Sequence, residues 1–167
     1  IMTSYILADY LKQGFLNIKD STTVSEKCWR MEGSRMFIQE GKKVLIEDLM
    51  RGMIIQSGND AACALAEHIA GTQEDFASLM NDYAQKMELK NTNFTNPTGL
   101  PNVNHYSTAE DIAKLSIVLI NDFPDEYSIY SEKEFTYNEI RQLNRNSLLW
   151  QDDSIDGIKT GHTRASG

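Results

Sequence analysis

Two short polar motifs contain side chains that could act together on a substrate. Ser57-Gly58-Asn59 sets a hydroxyl and an amide on either side of a glycine, at a break between two apolar segments. Lys159-Thr160-Gly161, much later in the chain, offers a positive charge, a hydroxyl that can donate to a carboxylate, and a glycine that lets the backbone approach a substrate closely. These residue types suit proton transfer and the binding of an anionic group.

Each motif by itself also has an ordinary structural explanation. Gly58 and Asn59 are typical of a helix end followed by the start of the next helix. Lys159 and Thr160 are typical of a charged turn beside a strand. Together, and in this order, the two motifs resemble the second and third of the motifs S-x-x-K, S-D-N and K-T-G, which mark serine β-lactamases and penicillin-binding proteins.

The sequence around the motifs is similar to that of the low-molecular-mass, penicillin-binding D-alanyl-D-alanine carboxypeptidases. The similar segments are 53–62, 130–133, 144–150 and 156–163, so the resemblance runs over nearly the whole chain. It implies an α/β fold of the β-lactamase/transpeptidase type, with helices around an antiparallel sheet. We expect 1–167 to be an internal fragment of that catalytic domain, with only part of the sheet and therefore mostly helical.

The first motif of the set is missing. No serine in the sequence is followed by a lysine three residues later. In the family, S-x-x-K opens the helix whose next residues resemble Ile1-Met2-Thr3. We therefore expect the nucleophilic serine and its lysine directly before Ile1. The resemblance also implies a protein exported to the periplasm or the outer face of the inner membrane.

The resemblance implies a serine-type carboxypeptidase. Such an enzyme removes the terminal D-Ala of peptidoglycan stem peptides through an acyl-enzyme, and penicillins acylate it. The catalytic residues it implies in this chain are Ser57, Asn59 and Lys159. Ser57 would pass a proton to the leaving nitrogen, Asn59 would orient the substrate amide, and Lys159 would hold Ser57 and stabilise charge.

The resemblance also implies a set of substrate-binding residues. Thr160, and Arg145 if the fold brings it near, would receive the terminal carboxylate. Gly161 would leave room for the substrate, and the backbone N–H of His162 would form half of an oxyanion hole. The expected partners are a peptide ending in D-Ala-D-Ala and β-lactams, with membrane contact only through segments outside this sequence.

Composition and spacing argue against other classes of ligand. Sixteen basic and 24 acidic residues give a net charge of −8, which disfavours nucleic acid. No apolar run approaches the roughly 20 residues that a membrane helix needs. Cys28 and Cys63 lie far apart without metal-ligand spacing, so we expect no metal or other cofactor. Cys63 is predicted to be a buried, inert thiol, although a disulfide to Cys28 stays open.

Two other functions remain to be weighed. A class A-like β-lactamase requires a glutamate in a loop to drive deacylation, and the loop 94–100 contains none. A non-catalytic binding protein with the same fold is also compatible with the sequence.

Apolar spacing and turn residues predict the elements that carry the motifs. We expect helices from Met2 to about Gly14, over 45–54, from an Asn59 or Asp60 cap to Gly71, and along the stripe from Phe76 to Met87. Another is expected from a Ser107/Glu110 capping box to about Asn121. The segment 21–40 reads as irregular chain or short strands. Strands are predicted at 134–138 and, after a turn at Asp156-Gly157, at Lys159-Thr160-Gly161.

Overall fold

The computed structural model describes residues 1–163 and is dominated by helices. The α-helices are α1 (Met2–Lys12), α2 (Glu26–Trp29), α3 (Ile46–Ile54), α4 (Asn59–Ala70), α5 (Gln73–Lys86), α6 (Ala109–Asp122) and α7 (Pro124–Tyr127). Two short 3-10 helices follow, Ser128–Ser131 and Ser147–Trp150. The predicted helices are confirmed, whereas α2, within the segment expected to be irregular or extended, was not anticipated.

Within residues 1–163, four short strands form two separate antiparallel pairs. β1 (Ser21–Thr23) pairs with β2 (Lys43–Leu45), with Ser21 opposite Leu45. β3 (Glu134–Tyr137) pairs with β4 (Ile140–Leu143), with Glu134 opposite Leu143. The strand predicted at 134–138 is therefore confirmed. The mostly helical arrangement around small antiparallel sheets agrees with the predicted fold class.

The strand predicted at Lys159-Thr160-Gly161 is not formed. No strand is assigned to 155–163, and within residues 1–163 no neighbouring strand pairs with this segment. Since a strand is defined by its ladder of hydrogen bonds to a partner, the segment is chain without regular secondary structure and runs along the cleft described below.

Helix α1 lies at the centre of the helical core. Residues Met2 to Ala8 are all buried, and Ile6 and Leu7 are fully inaccessible. Even the polar residues of this helix are bonded internally: Thr3 donates to the carbonyl of Pro97, and Ser4 shares a hydrogen bond with the hydroxyl of Tyr130. The start of α1 is thereby fixed at the floor of the cleft.

Two helix starts differ from the predicted caps. Gly58 is the N-cap of α4, and Asn59 and Asp60 are already helical residues whose side chains bond elsewhere. Thr108, not Ser107, caps α6 by accepting from the N–H of Asp111. In both places several adjacent residues are of types that are favoured at helix starts, so residue type alone does not decide which one caps.

Cys28 and Cys63 form a disulfide that joins α2 to α4. The prediction that Cys63 is buried is correct, but the expectation of an inert free thiol is wrong. The two sulfurs and the carboxylate of Glu67 lie within 4.8 Å of one another, yet both sulfurs are already bonded. In the part of the chain that the structure describes, no helix is both long and apolar enough to cross a bilayer.

Candidate active site

Five chain segments enclose a cleft of about 720 Å³ at the start of α1. One wall is formed by the turn between α3 and α4, with the segment 33–34 behind it. The opposite side consists of the loop 97–101 and the segment 159–163. The lining residues that bear on chemistry are Thr3, Ser34, Ser57, Asn59, Lys159, Thr160, Gly161 and His162.

Lys159 and Ser57 meet in this cleft. Lys159 Nζ donates a hydrogen bond to Ser57 Oγ over 2.6 Å, and a second one to its neighbour's carbonyl, Thr160 O, over 3.2 Å. Burial of the ammonium group, and secondarily the positive charge of Arg145, lowers the pKa of Lys159 to about 8. The two motifs therefore form one polar pair whose charge is sensitive to pH near neutrality.

Ser57 has a left-handed backbone, with φ of +64°. Such a conformation is unfavourable for a residue with a Cβ and persists only where the surroundings hold it. The next residue, Gly58, donates its N–H to the carbonyl of Gly52. A Cβ on Gly58 would lie 2.9 Å from Asp60 Oδ1 and 3.2 Å from the carbonyl oxygen of Gly52, so only glycine fits there without displacement.

Asn59 occupies the first turn of α4 and is fixed by its side chain. Its Nδ2 donates to the carbonyl of Glu32 over 2.7 Å. A Cβ on Gly33 would approach that same nitrogen to 2.8 Å, which shows how closely the segment 32–34 lies against Asn59. Because the bond to a carbonyl identifies Nδ2 as the donor, Oδ1 is the end of the amide left to accept a hydrogen bond.

Arg145 lies next to the cleft and does not line it. Its backbone N–H donates to the carbonyl of Ile55, and its Nη2 donates to Ser34 Oγ over 3.0 Å. The structure therefore brings six of the seven predicted site residues together in the cleft wall. The seventh, Arg145, lies behind Ser34, which lines the cleft. Its charge still reaches Lys159.

Several residues of the cleft were not predicted from the sequence. Ser34 and Gly33 come from a segment without periodicity, and Thr3 reads as one more residue of an amphipathic helix. Leu100 and Pro101, in the loop 97–101, line the other side. A glycine followed by a serine within irregular chain was the available signal at 33–34, and it has too many ordinary explanations to identify a site.

Comparison with known proteins identifies the family. A family model described as D-alanyl-D-alanine carboxypeptidase matches residues 1–167. The chain belongs to this carboxypeptidase family. DacA of Haemophilus influenzae, a D-alanyl-D-alanine carboxypeptidase, is 48% identical over 171 residues, which cover 100% of this chain and 44% of the relative.

Solved structures of family relatives share the fold. Penicillin binding protein 5 from Haemophilus influenzae matches this carboxypeptidase-family chain with a TM-score of 0.95 and 49% identity, covering 99% of this chain and 49% of that protein. Penicillin-Binding Protein D2 from Listeria monocytogenes, in its ampicillin-bound form, matches with a TM-score of 0.85 and 26% identity. The match covers 98% of this chain and 67% of that protein. The chain thus spans less than half the length of the DacA relative.

Proposed function

We propose that this chain forms most of the catalytic cleft of a serine-type D-alanyl-D-alanine carboxypeptidase, which removes the terminal D-Ala from peptidoglycan stem peptides. The observation that carries the proposal is the 2.6 Å hydrogen bond from Lys159 to Ser57, at the start of a buried helix. The family and its relatives support the same reaction.

The nucleophile is proposed to lie directly before Ile1, in a Ser-x-x-Lys motif. In a helix, residues three and four positions apart share a face. The serine of such a motif would lie four positions before Ile1, and its lysine three positions before Thr3. Both Ile1 and Thr3 line the cleft, so both added side chains would face Ser57 and Lys159.

As the serine oxygen attacks the carbonyl carbon of the penultimate D-Ala, a C–O bond forms and the serine proton passes to the lysine of the same motif, which gives a tetrahedral adduct with negative charge on the former carbonyl oxygen. The C–N bond to the terminal D-Ala then breaks, and the leaving nitrogen takes its proton from Ser57. Ser57 is reprotonated through the nucleophile's lysine, and water hydrolyses the acyl-enzyme. Lys159 holds the Ser57 hydroxyl in place and stabilises the negative charge that develops beside it.

The segment 159–163 and its neighbours bind the substrate in this proposal. Thr160 receives the terminal carboxylate, together with Arg145, whose guanidinium would have to reach past Ser34. The N–H of His162 supplies one donor of the oxyanion hole, a contribution of about 2.7–4 kcal/mol in a comparable hydrolase. Gly161, where a Cβ would meet no atom within 4 Å, leaves this side of the cleft open. Asn59 Oδ1 accepts from the substrate amide.

We extend the proposal to β-lactams and to location. A β-lactam carries a strained amide and a carboxylate, which correspond to the scissile amide and the terminal carboxylate of a D-Ala-D-Ala peptide. The Listeria relative is known in an ampicillin-bound form. A peptidoglycan substrate requires export to the periplasm or cell surface.

The test is release of D-alanine from a peptide ending in D-Ala-D-Ala, by the protein extended upstream of Ile1. Ser57→Ala and Lys159→Ala should each lower kcat/KM by about 10²–10⁴-fold. Ser116→Ala is the matched control, because that hydroxyl bonds to the carbonyl of Ile112 within α6. Absence of Ser-x-x-Lys before Ile1, or unchanged rates in both variants, would refute the proposal.

A further inference from the structure

Ser34 contacts the backbone on both sides of Ser57. Its hydroxyl donates to the carbonyl of Gln56 over 2.7 Å. Its own carbonyl accepts from the N–H of Asn59, also over 2.7 Å. One residue, distant in sequence, therefore holds the peptide group that precedes Ser57 and the peptide group between Gly58 and Asn59.

These two bonds restrain the backbone on either side of Ser57, the residue of the turn with an unfavourable conformation. Ser57 has a φ of +64°, and a left-handed residue with a side chain relaxes unless its neighbours are fixed. The remaining backbone bond of the turn, from Gly58 N–H to Gly52 O, is 3.0 Å long and acts between the two groups held by Ser34. Without the Ser34 hydroxyl, the carbonyl of Gln56 loses that restraint.

The same hydroxyl also holds Arg145. Because its single proton is donated to Gln56 O, the oxygen is free to accept, and Arg145 Nη2 lies 3.0 Å away. Within residues 1–163, the charged group that lowers the pKa of Lys159 is the guanidinium of Arg145. In the protein extended upstream of Ile1, the lysine of the proposed Ser-x-x-Lys motif would be a further positive neighbour of Lys159.

The segment that carries Ser34 is itself fastened to α4. The carboxylate of Asp60 accepts from the backbone N–H groups of Met36, Phe37 and Ile38. On the other side of Ser34, the Cys28–Cys63 disulfide joins α2 to the same helix. Ser34 is therefore held from both directions, as a residue must be if it is to position others.

We propose that Ser34 is a positioning residue for the carboxypeptidase reaction: it holds Ser57 in its left-handed conformation against Lys159 and restrains Arg145 beside the cleft, without touching the reacting atoms. The inference rests on the proposed function and adds to it a residue outside the three family motifs.

The experiment compares Ser34→Ala and Ser34→Thr in the protein that includes the upstream motif. Ser34→Ala should lower kcat/KM for D-alanine release about 10-fold or more, mainly through kcat, since the loss of a supporting contact disturbs alignment more than binding. Freed from Ser34, Arg145 is repelled from Lys159, so the pKa of Lys159 should rise and the corresponding limb of the pH–rate profile should move to higher pH. Ser34→Thr, which keeps a hydroxyl, should restore both.

A readout without turnover separates this inference from the proposed function. The pH dependence with which an amine-selective reagent labels Lys159 reports the pKa of that lysine even in a protein that releases no D-alanine. A shift in Ser34→Ala, its reversal in Ser34→Thr and no shift in the control Ser116→Ala would support the inference. Wild-type labelling and wild-type rates in Ser34→Ala would overturn it, as would a loss of rate that merely follows a fall in Tm and that Thr does not restore.

Discussion

Lys159 Nζ lies 2.6 Å from Ser57 Oγ although 102 residues separate the two in sequence. None of the residues lining the described cleft is an aspartate or glutamate. The positive charge of Lys159 is therefore balanced by hydroxyl and carbonyl oxygens and not by a carboxylate, which leaves its field available to an anionic substrate or transition state.

The charge of Lys159 predicts a pH dependence for D-alanine release. The pKa of Lys159 is about 8, lowered from its usual value by burial and by Arg145. As pH rises through that value, the ammonium group loses its proton and its positive charge, so kcat/KM should fall. Lys159→Arg should abolish this limb because arginine stays protonated, at a lower absolute rate because its geometry differs. A wild-type kcat/KM that rises through pH 8 would contradict the role given to Lys159.

The left-handed backbone of Ser57 predicts a difference between two inactivating variants. Ser57→Gly and Ser57→Ala both remove the hydroxyl, but only glycine adopts a φ of +64° without a steric penalty. Ser57→Gly should therefore be the more stable variant by about 1 kcal/mol in free energy of unfolding, measured by urea denaturation. Equal stability of the two variants would show that the turn carries no strain.

The helices were predictable because their signal is local. Apolar residues at helical spacing in α1, α3 and α5 required no knowledge of the rest of the chain. The two polar motifs were found from residue types and order. Their meeting in one cleft was implied by family resemblance, since nothing in the residues between 57 and 159 states where the chain returns.

The unpredicted features depend on contacts between distant segments. Ser34 bonds to Gln56 and Arg145 through a single hydroxyl, and no short-range pattern distinguishes it from any other loop serine. The pairing of Cys28 with Cys63 depends on how α2 packs on α4. Ser107 lost the predicted capping role to Thr108 because its hydroxyl bonds to Thr92 instead, a contact that forms only in the folded chain.

The buried carboxylate of Asp60 predicts a large loss of stability in Asp60→Asn. Asp60 is 1% exposed, and its oxygens accept from three backbone N–H groups in the segment behind the cleft. An amide NH₂ in place of Oδ2 would leave the N–H groups of Phe37 and Ile38 without an acceptor, at a cost of about 3 kcal/mol. Urea denaturation measures this loss in the free energy of unfolding. The control is Asp153→Asn at an exposed position, whose free energy of unfolding should lie within about 0.5 kcal/mol of wild type. A similarly small effect in Asp60→Asn would refute the anchoring role.

The Cys28–Cys63 disulfide predicts a redox-dependent stability. The bond closes a loop with a sequence separation of 35, and a loop of that size lowers the entropy of the unfolded chain by an amount worth about 4 kcal/mol. The double variant Cys28→Ala/Cys63→Ala should lose roughly that free energy of unfolding relative to the oxidised protein. The reduced wild type should lose a similar amount.

A reductant is the internal control for this prediction. Adding a dithiol should lower the midpoint of urea denaturation for wild type and leave the double variant unchanged, because only the former has a bond to break. Asn59 lies on α4, which the disulfide joins to α2, and Ser34 lies in the segment that follows α2. Reduction should therefore also lower kcat more than a change in Tm at the assay temperature explains. Two thiols titrating in the native, unreduced protein would show that the bond is absent and would remove both expectations.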